Sequence, residues 1–125
     1  MTKRKLALGP GLVASLLAAL ALATWTTASA APSKLRGSVG PGETIWLKTA
    51  AGKKVSLVNR GTYRIRISDR SDEHNFYVSG PGVRRELTGI GFVGTKTVTV
   101  KLRSGTYLFV CIPHSDDMKG AFKVR

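Results

Sequence analysis

The chain of 125 residues holds a single cysteine, so no internal disulfide can brace it. It has only two histidines and seven acidic residues against twenty Lys and Arg. No Ser/His/Asp arrangement, phosphate-cradling glycine loop or HExxH run is present, which argues against hydrolase and nucleotide chemistry. After residue 31 no stretch repeats apolar residues every three to four positions, so a helical bundle is excluded. The acidic pair before His74, Asp72-Glu73, reads as a solvated turn and not as paired catalytic carboxylates. An enzyme is therefore not expected.

The first thirty residues have the form of an address. Lys3, Arg4 and Lys5 make a basic start, Leu6 to Trp25 is mostly apolar, and Ala28-Ser29-Ala30 offers a small-residue cleavage site. A run of that length could also remain as a membrane anchor. Gly9-Pro10-Gly11 interrupts its start and favours a cleaved signal peptide over 1–30, with no cysteine nearby for lipid attachment. The expected location is secreted or extracytoplasmic, in the periplasm or cell envelope, with a membrane tether if the leader is retained. Without the three leader cations, seventeen Lys and Arg face seven acids, a charge of +10. A charge of that size bears on partners and solubility, not on fold.

Residues 31–42 are rich in Pro, Gly and Ser and are expected to form a flexible lead-in to a single domain over 43–125. Within that domain the alternation has period two. Tyr63, Ile65 and Ile67 alternate with Arg64, Arg66 and Ser68, and Val98, Val100 and Leu102 alternate with Thr97, Thr99 and Lys101. Further candidate strands are 43–48, 54–58, 74–78, 106–112 and 121–125. They are separated by turn residues such as Ala51-Gly52, Arg60-Gly61 and Ser104-Gly105. About seven short strands so spaced predict an all-β, antiparallel β-sandwich. TYLFVCI is apolar on both faces apart from Thr106 and is expected to be a central strand covered on both sides. Gly80 to Gly94, with five glycines, is expected to be a loop that crosses between sheets or frames a site.

The lone thiol stands in GTYLFVCIPHSDDMKG, where Cys111, His114 and Met118 form C-x2-H-x3-M. An odd cysteine in a secreted chain is a reactive thiol, an intermolecular link, a buried apolar residue or a metal ligand. Singly, each of the three residues has an ordinary reading as core or loop. Together with His74, the other histidine, they supply two imidazoles, a thiolate and a thioether, the ligand set of a blue-copper site. Structural zinc also takes Cys and His but usually four of them, with little use for a thioether.

HNF followed by GPG, then GTYLFVCIPHSDDMKGAFKV, resembles the small bacterial cupredoxins of the plastocyanin/azurin family over most of residues 40–125. The resemblance implies a Greek-key sandwich with one mononuclear type 1 copper bound by His74, Cys111, His114 and axial Met118. It implies that His114 is the solvent-edge ligand and electron port, and that Asn75 ties the two ligand loops together. Plant plastocyanins have a longer ligand loop and a tyrosine before the cysteine; Val110 stands there in this chain. Pro113 removes a backbone donor near the sulfur. Asp116 and Asp117 either favour the oxidised metal or sit in water.

The leading expectation is a monomeric one-electron carrier that meets redox partners briefly, acidic ones given the charge. An extracytoplasmic copper carrier or sequestration protein is the alternative, although no His or Met is left over for extra copper sites. A metal-free adhesion module is the reading without copper. The family's oxidases need further histidine-rich sites that two histidines cannot build. Arg64 and Arg66 are expected to be solvated, and no aromatic platforms suggest nucleic acid.

Overall fold

The computed structural model describes residues 2–7, 9–11 and 22–125. Among the described residues, regular structure begins at residue 33 and consists of nine strands and one 3-10 turn. The strands are β1 (Ser33–Val39), β2 (Ile45–Thr49), β3 (Leu57–Val58), β4 (Gly61–Asp69) and β5 (Phe76–Gly80). They continue with β6 (Val83–Thr88), β7 (Gly94–Leu102), β8 (Gly105–Val110) and, after the 3-10 turn Ile112–His114, β9 (Lys119–Val124). A four-stranded sheet in the order β2-β1-β4-β7 packs on a five-stranded sheet in the order β3-β9-β8-β5-β6. The expected all-β sandwich is therefore present, with nine strands instead of seven.

Its core follows from the alternation. Ile65 and Ile67 of β4, Val98, Val100 and Leu102 of β7, and Phe76 and Val78 of β5 are buried between the sheets. Tyr107 and Phe109 of β8 and Phe122 and Val124 of β9 join them. Aromatic rings stack across the five-stranded sheet, Phe76 on Phe109 at 5.8 Å and Tyr107 on Phe122 at 5.3 Å. Glycines make room for two of these rings: a Cβ at Gly80 would overlap Tyr107, and one at Gly120 would overlap Phe109.

Four expectations need correction. The lead-in over 31–42 contains β1, which pairs antiparallel with β2 and parallel with β4 in the middle of its sheet. Its alternation of Leu35, Gly37 and Val39 inward is masked in the sequence by Gly37, where a Cβ would press on Ile67 and Phe76. The sheets are thus mixed, since β3 also runs parallel to β9. The stretch from Gly80 to Gly94 does cross between the sheets, but it carries β6 as a hairpin partner of β5. The alternation of β6 is obscured twice: Arg85, opposite the buried Val78, is exposed, and a register shift at Leu87 leaves the adjacent Leu87 and Thr88 both buried. Finally, β8 is central in its sheet but covered on one side only: Leu108 and Ile112 are exposed.

Within the expected leader 1–30, residues 1, 8 and 12–21 lie outside the described residues, and the described ones carry no regular structure. No helix among the described residues is long and apolar enough to cross a membrane.

Candidate metal centre

The four candidate ligands lie at one end of the sandwich, and strand register brings most of them there. β5 and β8 are antiparallel neighbours with Tyr77 opposite Val110, so the start of one meets the end of the other. β8 and β9 form a hairpin with Val110 opposite Lys119. One step further, the Cys111 N–H donates to the Met118 carbonyl at 2.9 Å, so these two residues are the last rung of that ladder. Period two does the rest. His74 continues the inward series Phe76 and Val78, Cys111 continues Tyr107 and Phe109, and Met118 continues Phe122. All three are buried, Cys111 and Met118 completely.

His114 departs from this pattern and needs the 3-10 turn. Pro113 occupies its first turn, and the His114 N–H donates to the Cys111 carbonyl at 3.1 Å. The Met118 N–H then donates to the His114 carbonyl at 2.8 Å, closing the loop. The turn folds the His114 imidazole back beside Cys111. His114 is half-buried, the only one of the four to reach solvent, while Asp116 and Asp117 are exposed.

Three donor atoms converge. Nδ1 of His74 and Nδ1 of His114 are 3.1 Å apart, and each is 3.6 Å from Cys111 Sγ. A circle through these three atoms has a radius of about 2.0 Å, the bond length of a first-row metal to nitrogen. Two ring nitrogens and a sulfur held this close in a buried site require a shared proton or an ion between them. Two imidazoles suit both copper oxidation states and the thiolate favours Cu(I), so the His74, Cys111, His114 group fits one type 1 copper site. The imidazole planes stand edge to face at 77°, so both present a nitrogen to the same point without stacking.

Asn75 locks the two ligand segments together. Its Oδ1 accepts the Ile112 N–H at 2.8 Å, so the side-chain amide supplies one more rung where the β5–β8 main-chain ladder has ended. Its Nδ2 donates to Glu86 Oε2 on β6 at 2.8 Å. Glu86 was not among the residues singled out in the sequence. Only the β5–β6 pairing brings it beside Asn75, and nothing local marks that pairing.

A second buried group lies nearby. Asp69 ends β4 and is 1% exposed. Burial pushes its carboxyl above the usual carboxylate range, outweighing the Thr88 hydroxyl, the Ser71 N–H and the His74 charge, which lower it. Thr88 lies beside it, yet neither Asp69 Oδ2 nor Thr88 Oγ1 has a partner with hydrogen-bond geometry.

No protein-family model matches the chain, and no curated protein matches it either. Solved structures do. Rusticyanin from Thiobacillus ferrooxidans superposes with a TM-score of 0.54 at 21% identity, covering 78% of this chain and 79% of that one. Reduced rusticyanin gives 0.55 at 19% identity, covering 78% and 82%. Auracyanin A, a "blue" copper protein of the photosynthetic bacterium Chloroflexus aurantiacus, gives 0.56 at 19% identity, covering 76% of this chain and all of that one. At these identities the likeness establishes the cupredoxin-like fold.

Proposed function

We propose that this chain is an extracytoplasmic one-electron carrier with a single type 1 copper. His74, Cys111 and His114 are its strong ligands and Met118 its weak axial one. The observation that carries this reading is the triangle of two imidazole nitrogens and one thiolate sulfur at the buried end of a rigid sandwich. Copper supplies the Cu(II)/Cu(I) couple; the protein supplies a ligand frame that changes little between the two states. Backbone bonds within 111–118 and the Asn75 bridge hold that frame. That auracyanin A is a blue copper protein, and that rusticyanin is described in a reduced form, fits this reading.

Burial of three of the four ligands favours electron transfer over copper delivery, because handing over an ion needs exposed ligands that can exchange. His114 then serves as the electron port. Apolar side chains are exposed at the same end: Ile112 beside Cys111, and Ile90 and Val93 in the loop that the Gly91 N–H ties to Asp72. They suit a small, transient docking interface. The leader-like N-terminus supports export.

The test is Cu(II) titration of the purified chain, followed by visible absorption and electron paramagnetic resonance. The expected result is an intense charge-transfer band with narrow hyperfine splitting at one copper per chain, abolished in Cys111→Ser. A pale, tetragonal signal, or zinc bound in preference to copper, would refute the reading.

A further inference from the structure

The acidic residues of this protein are clustered, with Arg70 and Lys119 among them. All seven acidic residues lie at the metal end or on elements that reach it. Glu43 is in the loop after β1, Asp69 ends β4, Asp72 and Glu73 precede His74, Glu86 bonds Asn75, and Asp116 and Asp117 follow His114. The outer face of the four-stranded sheet carries none. Its outward positions are Lys34, Arg36 and Ser38 of β1, Trp46 and Lys48 of β2, and alternate residues of β4 and β7. These last include Arg64, Arg66 and Lys101.

Register puts like charges side by side. Lys34 is opposite Arg64, Arg36 opposite Arg66, and Lys48 opposite Arg36 on the other flank. Like charges directly across a sheet destabilise it, so folding alone gives no reason for this array. The four central cations, with Leu35, Ala50 and Thr97, line a groove of about 410 Å³.

From this geometry we propose that the basic face of the four-stranded sheet binds an anionic lipid surface and holds the protein there with His114 free. An array of cations around a groove whose one large apolar side chain, Leu35, is buried matches phosphate headgroups, whereas the core of a protein interface is more apolar. The one large apolar group on the face is Trp46 at its edge, with Lys48 Nζ 4.6 Å from its ring centroid. Tryptophan is enriched at membrane–water boundaries, and the lysine beside it adds a cation for the headgroups. The chain also enters this sheet at Ser33, eight residues after the apolar run ends at Trp25. An acidic redox partner seated on the same face would lie along the side of the sandwich, away from His114. Seated at the metal end, it would meet acidic residues. His114 belongs to the β8–β9 hairpin of the opposite sheet, so docking through the basic face leaves it open.

The experiment is vesicle co-sedimentation of the full chain, and it does not depend on the copper reading. Phosphatidylcholine vesicles are compared with vesicles in which roughly a third of the lipid is phosphatidylglycerol, at low salt and at about 0.5 M salt. The apolar N-terminal run is common to every arm and cancels in the ratio of the two affinities. The wild type should prefer anionic vesicles, and salt should remove the preference. Arg64→Gln/Arg66→Gln should cut it about thirtyfold, at the strength expected for two cations near a charged membrane. The thermal midpoint of that variant should stay level or rise, because repulsion across β1 and β4 is relieved. Arg84→Gln/Lys123→Gln, which makes the same charge change on the five-stranded sheet, should retain the preference. Equal losses in both pairs would reduce the effect to net charge and overturn the proposal, as would equal binding to both vesicles. Face-dependent binding of polyglutamate without vesicle preference would assign the face to an acidic protein and also overturn it.

Discussion

Asn75 is the single polar side chain on which the geometry of the metal end most depends, and its removal gives a measurable test. The side chain is 1% exposed and makes two bonds of 2.8 Å, one accepted from the Ile112 N–H and one donated to Glu86. In Asn75→Ala the Ile112 amide loses its partner at a point where the strand ladder cannot replace it. The lost bond and the unpaired donor cost about 2–3 kcal/mol together. The bond to Glu86 adds about 1 kcal/mol at most, because that carboxylate is exposed and water can take over. A total of about 2–4 kcal/mol corresponds to a fall in thermal midpoint of roughly 10–25 °C for a domain of this size.

Two further variants separate the bonds. Asn75→Asp keeps the acceptor for Ile112 but sets a second carboxylate against Glu86, so its loss should ease as pH falls and the pair takes up a proton. Asn75→Asp/Glu86→Gln restores a donor–acceptor pair with the roles exchanged, and should recover most of the stability. Urea denaturation gives the energies, and the width of the copper charge-transfer band reports whether the Cys111 segment has loosened. A loss below about 0.5 kcal/mol in Asn75→Ala, with the band unchanged, would show that the bridge does not hold the two ligand segments.

Three other substitutions probe different links. Gly120→Ala places a methyl group in the Phe109 ring, which is itself stacked on Phe76, and should cost about 1–3 kcal/mol by chemical denaturation. Met118→Leu conserves volume, so stability should change by less than about 1.5 kcal/mol. The Cys111-based band should persist and voltammetry should give a higher potential, because a donor that favours Cu(II) is gone; an unchanged potential would remove Met118 from the ligand set. Asp69→Asn tests the buried carboxyl in the metal-free protein. A folded-state value raised above the unfolded 3.8 means that the native state holds the proton more tightly. Its stabilising contribution is therefore complete below about pH 4 and is lost as pH rises through the folded value. The asparagine variant should lack that loss, gaining on the wild type between pH 4 and 7 in urea titrations; a gain toward low pH would refute the assignment.

The parts of the molecule legible in the sequence are those fixed by near neighbours. β4 and β7 show their alternation openly because three successive inward positions in each carry large apolar side chains, Tyr63, Ile65 and Ile67 in one and Val98, Val100 and Leu102 in the other. Cys111, His114 and Met118 are close in the chain, and their spacing alone suggests a shared ion. β1 was hidden because a ring and a methyl group from other strands demand glycine at its central inward position. β6 was hidden because Arg85 stands where an apolar residue would complete its alternation and a bulge at Leu87 ends it. Glu86 and the groove between β1 and β4 were invisible for a related reason: each depends on pairing between segments eleven or more residues apart. Net charge alone favoured acidic proteins or anionic lipid without assigning either to a face, whereas the fold separates a sheet face that carries only cations from a metal end where the acids gather.

That separation follows from how the site is built. Three of the candidate ligands occupy the positions at which the inward series of β5, β8 and β9 would otherwise have continued with apolar residues. The metal end is thus the core of the five-stranded sheet carried one residue further, with polar donors substituted. A site made this way is rigid because it uses the ladder's own register. It is also closed, because inward positions face the opposite sheet and not water. Contact with solvent has to come from a residue that leaves the alternation, and the 3-10 turn at 112–114 provides it by bringing His114 to the surface while aiming its Nδ1 inward. The four-stranded sheet contributes no candidate ligand, so its outer face is free to carry a charge array that would disturb the ligands if it were theirs. Lengthening the 112–117 loop should therefore alter the copper spectrum and leave vesicle binding intact, and neutralising Arg64 and Arg66 should do the reverse.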